Sequence, residues 1–355
     1  MCGTEVRPRT VGHFRRRTLS AAAVTCTALV TVSLLVTLVG GSSVLAPGDS
    51  DRPHQGAPSS SAAPLGAFLG SGANGVKRID GFSAWLGKEI TVGHTYLPGT
   101  SWKDVEGPNS ILDPWTTWQS AKPGRTLVLN VPMLSPSEPA VADDEAVQLL
   151  RRGAGGEFDR HFQVLGRRLV DRKAAHTILV LGWEMNGTTY SGRCAPDPTA
   201  WKAFWRRIVA VMRTVPGQAF RFDFAPVRGA QAVPWPQCYP GDDVVDIVGM
   251  DSYDQHPGRS FDDFVHQPYG LLDQADFAQK HGKPMSFPEW GLFDNGDNPA
   301  YVTEMQSWIS AHDVIYQTIS DYCPHGVWAC PDNPKSTQAY QRLFGATAVS
   351  RPTGP

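Results

Sequence analysis

From residue 65 onward, short apolar runs alternate with helical segments, and no other feature restricts the fold as much. Runs at Leu65–Leu69, Glu89–Leu97, Arg125–Leu134, Thr177–Leu181, Phe220–Val227, Val244–Tyr253, Lys283–Gly291 and Val314–Ile319 have the length and the β-branched or aromatic content of strands. Helical spacing of apolar residues marks Val76–Leu86, Pro198–Val215, Pro299–Ala311 and Ser336–Phe344. It also marks Asp143–Ala175, broken near Gly153–Gly156, and part of Phe261–Lys280. Alternation of this kind means a parallel sheet with helices packed on it. Eight units predict a closed (β/α)8 TIM barrel, α/β in class. No glycine-rich phosphate loop follows the first strand, which argues against an open dinucleotide-binding sheet.

Two of the runs end in a glutamate. Thr177–Leu181 is followed by Gly182-Trp183-Glu184-Met185-Asn186-Gly187, and Lys283–Phe287 by Pro288-Glu289-Trp290-Gly291. A carboxylate is seldom buried without a partner. At the C-terminal end of a barrel strand it stands where such folds keep their chemistry. A pair of carboxylates converging there is the minimum apparatus for cleaving a glycosidic bond, one as acid and one as nucleophile or base. Eleven tryptophans among 355 residues suit a site for flat ligands such as sugars.

The N-terminus has a different character. Arg7, Arg9, Arg15, Arg16 and Arg17 precede an uncharged run from Leu19 to Val39, and Val44-Leu45-Ala46 suits cleavage after small residues. Residues 1–46 therefore read either as a signal peptide or as a membrane anchor through 19–39, since an uncharged, mostly apolar run of 21 residues can span a bilayer. Either way the body is expected outside the cytoplasm, secreted or held at the outer face of the membrane. Residues 47–64, rich in Pro, Ser and Ala, read as a linker, and 65–355 as one catalytic domain. The formal charge of −2 becomes −6 if the leader with its five arginines and one glutamate is removed. Neither value gives the basic footprint of a nucleic-acid binder. A monomer without cofactor or metal is expected.

Cys2 and Cys26 lie in the leader. Four cysteines remain in the body, an even number that suits export. Cys194 and Cys238 follow neighbouring strands, and Cys323 and Cys330 share the loop after the last strand. Three pairings are open to four cysteines; Cys194–Cys238 with Cys323–Cys330 is the one this loop order favours.

The motif around Glu184 resembles the acid/base motif of glycoside hydrolase family 26, the β-mannanase family of the retaining barrel clan. Pro288-Glu289-Trp290-Gly291 is similar to its nucleophile motif. Phe222-Asp223-Phe224-Ala225-Pro226 resembles its fifth strand, and Tyr239-Pro240-Gly241-Asp242 with Asp246–Tyr253 resembles its approach to the sixth. The resemblance runs from Leu65 to about Phe344. It implies a retaining endo-β-glycosidase acting on a β-linked, mannan-like polysaccharide, with Glu184 as acid/base and Glu289 as nucleophile. It further implies that Tyr253 hydrogen-bonds and orients the nucleophile, and that Asn186 and Trp290 shape the sugar pocket. One position departs: the family usually has His directly before the acid/base, where this chain has Trp183. Histidine both donates and accepts, whereas tryptophan offers one N–H and a face. That leaves room for a β-glucan or mixed exopolysaccharide as substrate, for transglycosylation, or for a barrel that binds glycans without cleaving them.

Further candidates follow from position alone. His94 ends the second strand and would face the sugar or serve structure. Asp251 would bind substrate or pair with an arginine. Trp235, Tyr239 and Trp328 would be stacking platforms or merely cover the mouth. Trp183 would exclude water and raise the pKa of Glu184, while Tyr253 would lower that of Glu289. Asp294-Asn295-Gly296-Asp297-Asn298 reads as a turn and helix cap, since it lacks the twelve-residue calcium pattern.

Overall fold

The computed structural model describes residues 62–346. The segments 1–46 and 19–39, and nearly all of 47–64, lie outside the described residues. Among the described residues no helix is long and apolar enough to cross a membrane.

Among the described residues nine strands form one closed, all-parallel sheet. They are β1 (Leu65–Phe68), β2 (Val92–Tyr96), β3 (Thr126–Val131), β4 (Ile178–Leu181), β5 (Arg221–Phe224), β6 (Ile247–Gly249), β7 (Ser252–Asp254), β8 (Met285–Leu292) and β9 (Val314–Ser320). Sequential pairing runs from β1 to β6, β1 closes against β9, and β9 pairs with β8. Both β6 and β7 pair with β8, at Val248↔Met285 and Tyr253↔Gly291. They are two halves of one strand interrupted at Met250-Asp251, so the barrel has eight staves, as the alternation predicts.

Inward side chains fill the barrel. Val92, Val128, Ile178, Val180, Ala225, Ile247 and Tyr316 form its lining, with Trp183 at the top. The outer faces bury the helices, of which α6 (Pro198–Arg213) shows the logic best. Asp197 caps it by accepting from the Ala200 N–H at 3.0 Å, and Pro198 supplies a fixed φ at the first helical position. Trp201, Phe204, Trp205, Ile208 and Met212 recur on its inner stripe and are buried. Each indole finds an acceptor: Trp201 donates to the Gly192 carbonyl at 2.7 Å and Trp205 to the Leu181 carbonyl at 3.0 Å. Burying such a ring contributes on the order of 3 kcal/mol, and Trp205→Ala would cost about 3–5 kcal/mol.

Loops at the C-terminal ends of the strands are tied to one another. The structure contains the disulfides Cys194–Cys238 and Cys323–Cys330, with sequence separations of 44 and 7. Loop-closure entropy makes them worth about 4 and about 2.4 kcal/mol. The Asp294–Asn298 turn is a brace. Asn295 and Asn298 donate to Asp254 at 2.7 and 2.8 Å, Asn298 caps α9 (Pro299–Ala311), and Asp297 accepts from the first N–H groups of α10 (Pro334–Phe344). At the opposite face α10 ends beside the end of α1 (Gly72–Leu86), where Gln341 donates to the Trp85 carbonyl at 3.1 Å.

Candidate active site

Glu289 sits near the end of β8, inside the barrel and 7% exposed. Strand alternation sends Ser286 and Glu289 inward and Phe287 and Trp290 outward, with a register irregularity between Phe287 and Trp290. One carboxylate oxygen accepts from the Tyr253 hydroxyl at 2.8 Å, and the other from the Asn130 amide at 3.2 Å. Tyr253 shares its hydroxyl with Ser320 at 2.7 Å. Asn130 is oriented in turn by His94, at 2.9 Å, whose other ring nitrogen meets Thr318 at 3.0 Å. Burial holds His94 down at about 4, so it is neutral. The nucleophile candidate is thus fixed by β3, β7 and β9 at once.

Glu184 lies on a sharp turn. β4 ends at Leu181, Gly182 takes φ +60°, and a Cβ there would meet Met133 Sδ at 2.5 Å, so only glycine fits. Glu184 itself has φ +50°, uncommon for a residue with a side chain. Its N–H donates to the Ala225 carbonyl at 2.8 Å, and its carbonyl accepts from Gly187 at 3.0 Å. The turn is pinned to the fifth strand by Asn186, which donates to the Val227 carbonyl at 2.8 Å and accepts from the Val227 N–H at 3.0 Å.

The two carboxyls differ electrostatically. Burial first, then the charges of Glu289 and Glu138, push Glu184 up to about 8, with no hydrogen bond opposing them. Burial raises Glu289 as well, against the opposing donors Tyr96, Tyr253 and Asn130. The hydrogen bond expected from Tyr253 is present, but burial outweighs it. Glu289 therefore ionises first, and its charge keeps the proton on Glu184.

Other expected site residues fall elsewhere. Trp290 is fully buried behind β8 against Tyr301, Tyr340 and Phe344, its N–H on Gln317 at 2.6 Å, because its neighbour Glu289 occupies the inner face. Asn186 is fully buried with its amide committed to Val227, so it braces the turn and lines no pocket. His94 lies one layer below, behind Asn130. Asp251 is fully buried in the break of the sixth stave, and neither carboxyl oxygen has a partner among the described residues. Burial first, then the charges of Glu289, Glu184 and Asp223, push its carboxyl well above the usual range, and no arginine pairs with it among the described residues. Trp183, 7% exposed, packs edge-on to Tyr96 and donates its N–H to the Tyr190 hydroxyl at 3.0 Å. Trp235 is buried with its N–H on the Tyr269 carbonyl, Tyr239 packs against Phe277 and His281, and Trp328 covers Phe82 of α1. None of these three is a platform at the mouth.

Several groups at the mouth were missed: Tyr96, Asn130 and Ser320 around Glu289, and Tyr190 and Glu138 beside Glu184. Tyr322 stands beside them, and partial burial first, then the charges of Glu289 and Glu184, raise its hydroxyl's pKa. Asn130 carried a signal, being the one amide in the otherwise apolar buried run Leu127–Val131.

Residues 172–295, which hold both glutamates, match the model of glycosyl hydrolase family 26. No curated protein sequence matches this chain. Among solved structures, mannanase man26 of Bacillus subtilis superposes with a TM-score of 0.57 at 14% identity, covering 82% of this chain and 89% of that one. An endo-beta-1,4-mannanase double mutant of Cellulomonas fimi gives 0.60 at 16%, covering 80% and 70%. The beta-mannanase BoMan26A of Bacteroides ovatus gives 0.58 at 15%, covering 79% and 87%. These likenesses bear out the barrel. The family resemblance stated from the sequence holds over the matched segment, and with it the enzyme class, glycoside hydrolase.

Proposed function

We propose that the chain is a retaining endo-β-glycosidase that cleaves a β-linked polysaccharide, mannan-like in preference, outside the cytoplasm. The observation that carries this reading is the asymmetry of the pair: Glu289 accepts hydrogen bonds from Tyr253 and Asn130, while Glu184, on a turn at φ +50°, is pushed up to about 8 by burial and neighbouring charges with no hydrogen bond opposing them. In the first step Glu184 gives its proton to the leaving glycosidic oxygen while a Glu289 oxygen attacks the anomeric carbon. The aglycon departs and a glycosyl ester forms on Glu289. In the second step Glu184, now ionised, takes a proton from water, whose oxygen displaces Glu289 and restores the original anomer. Tyr253 and Asn130 hold the attacking carboxylate in line. A separation of ~5–5.5 Å between the two carboxyls is expected for this route, against ~6.5–9.5 Å for inversion.

The mannanase names of the similar structures support a mannan-like substrate. One observation favours a β-glucan or mixed exopolysaccharide instead, or transfer to a sugar acceptor. The only N–H of Trp183 is spent on Tyr190, so the position usually held by histidine offers the sugar no donor. Sugar release from mannan, β-glucan, xylan and bacterial exopolysaccharides decides between these substrates. Proton NMR of the first product decides the stereochemistry; an inverted anomer, or full activity in Glu289→Ala, would overturn the assignment. Site of action is tested by N-terminal sequencing of protein recovered outside native cells, where a start near Pro47 means cleavage and an intact membrane-bound chain means an anchor. Intact protein free in the cytoplasm would refute export.

A further inference from the structure

Asp223 is a buried acid that the chemistry above does not use. It lies on β5 inside the barrel, fully buried and level with Ile247 of β6. One carboxylate oxygen accepts from two hydroxyls, Ser286 on β8 and Tyr316 on β9, each at 2.6 Å. The contact crosses the interior, since the sixth stave stands between β5 and β8. Gly249 of β6 leaves room for it: a Cβ there would stand 2.5 Å from the other carboxylate oxygen and 2.8 Å from Ser286 Oγ. Burial pushes the carboxyl up to about 7 against the two donors. An apolar side chain at this position would avoid the cost of burying an acid.

The partner on β8 gives the acid its role. Ser286 and Glu289 both face inward although they are three positions apart. Regular alternation puts residues three apart on opposite faces. The register irregularity between Phe287 and Trp290 supplies the missing step. Three bonds fix where it falls. The Met250 N–H donates to the Ser286 carbonyl at 3.1 Å, the Thr318 hydroxyl donates to the Pro288 carbonyl, and Asp223 holds the Ser286 side chain. Of the three, only the bond to Asp223 reads which way a β8 side chain points. A slip of one residue would turn Ser286 away from Asp223 and Glu289 away from its donors.

We propose that Asp223 is a positioning residue for the nucleophile: by anchoring Ser286 it sets the point at which β8 changes register, and so the face on which Glu289 emerges beside Tyr253 and Asn130. Calling Glu289 the nucleophile rests on the glycosidase reading. The test follows the Glu289 carboxyl directly, by carbon-13 NMR of protein labelled at the glutamate side-chain carboxyl, its resonance assigned by its absence in Glu289→Gln. Kinetics on glucomannan and urea unfolding run beside it. Ser286→Ala and Asp223→Ala should each move the Glu289 titration midpoint to higher pH, because its hydrogen-bond donors are lost in part. Each should lower kcat about tenfold, the weight of one hydrogen bond, with KM within twofold. Asp223→Asn keeps an acceptor oxygen for both hydroxyls and should match wild type. The other titratable groups around the two acids, Tyr96, Glu184, Arg221, Asp251, Tyr253 and Tyr316, are kept in all these variants. Loss of charge alone acts the other way: it lowers the midpoint, and equally in Asp223→Asn and Asp223→Ala. If Asp223→Ala does not fold, Ser286→Ala carries the test by itself. A midpoint unmoved in folded Ser286→Ala, with stability alone reduced, overturns the positioning role, as does Asp223→Asn behaving like Asp223→Ala. A midpoint that moves as expected in a protein whose wild type releases no sugar from any polymer overturns the glycosidase reading and leaves the positioning of Glu289 standing.

Discussion

Replacing Glu184 with glutamine should make the protein more stable while disabling it. In the folded state burial and two neighbouring charges push this carboxyl up to about 8, from an ordinary value of 4.5. Between those values the folded chain holds a proton that the unfolded chain has released. The unfolded state binds fewer protons there, so stability falls as pH rises through the window. The full shift corresponds to roughly 5 kcal/mol lost by pH 9, and about 3 kcal/mol at pH 7. These are upper figures, because part of the shift comes from Glu289 and is shared with it. Glutamine has nearly the same shape and no charge. The variant should therefore unfold about 5 °C higher at pH 7, at about 2 °C per kcal/mol for a domain of this size. At pH 4, below the unfolded value, the difference should vanish. Differential scanning calorimetry at pH 4, 5.5, 7 and 8.5 reads the trend, and hydrolysis of an unactivated substrate reads the loss of function. A gain that is equal at every pH, or a loss that grows with pH, would refute the reasoning.

Tyr253→Phe removes the 2.8 Å donor to Glu289, so the nucleophile's pKa should rise further and the acid limb of kcat/KM should move to higher pH, with kcat down about 10²-fold; an unmoved limb would count against the pairing. Glu138→Gln removes one of the charges that raise Glu184; the alkaline limb should move to lower pH by less than one unit, visible in a pH–rate profile, while the acid limb stays. Asn186→Ala breaks both bonds to Val227 and leaves two buried backbone groups unpaired; urea unfolding should show a loss of about 2–4 kcal/mol.

The barrel was legible because its signal is periodic and repeated. Each stave is a short apolar run, and eight of them admit few arrangements. The catalytic pair was legible because a glutamate beside Trp and Gly contradicts the run that delivers it. What escaped depends on which way a side chain points. Trp290 and Glu289 are adjacent in sequence, yet alternation puts one in the helical shell and the other in the mouth. Asn186 looked polar and exposed, but a second strand's backbone claimed both ends of its amide. The break at Met250-Asp251 was not legible in Val244–Tyr253, because an aspartate at a strand end reads the same whether the strand stops there or resumes after an interruption. Tyr96, Asn130 and Tyr190 come from three different loops and strands, and only closure of the sheet brings them to the same two carboxyls.

Closure of β1 on β9 also fixes the molecule's polarity. The chain enters the barrel at Leu65, at the N-terminal rim, and α10 brings the described residues back to the same rim beside Trp85. Both glutamates open at the other rim. Both ends of residues 62–346 therefore lie at the rim remote from the two glutamates, so a group attached to either end is joined to the side of the barrel that does no chemistry.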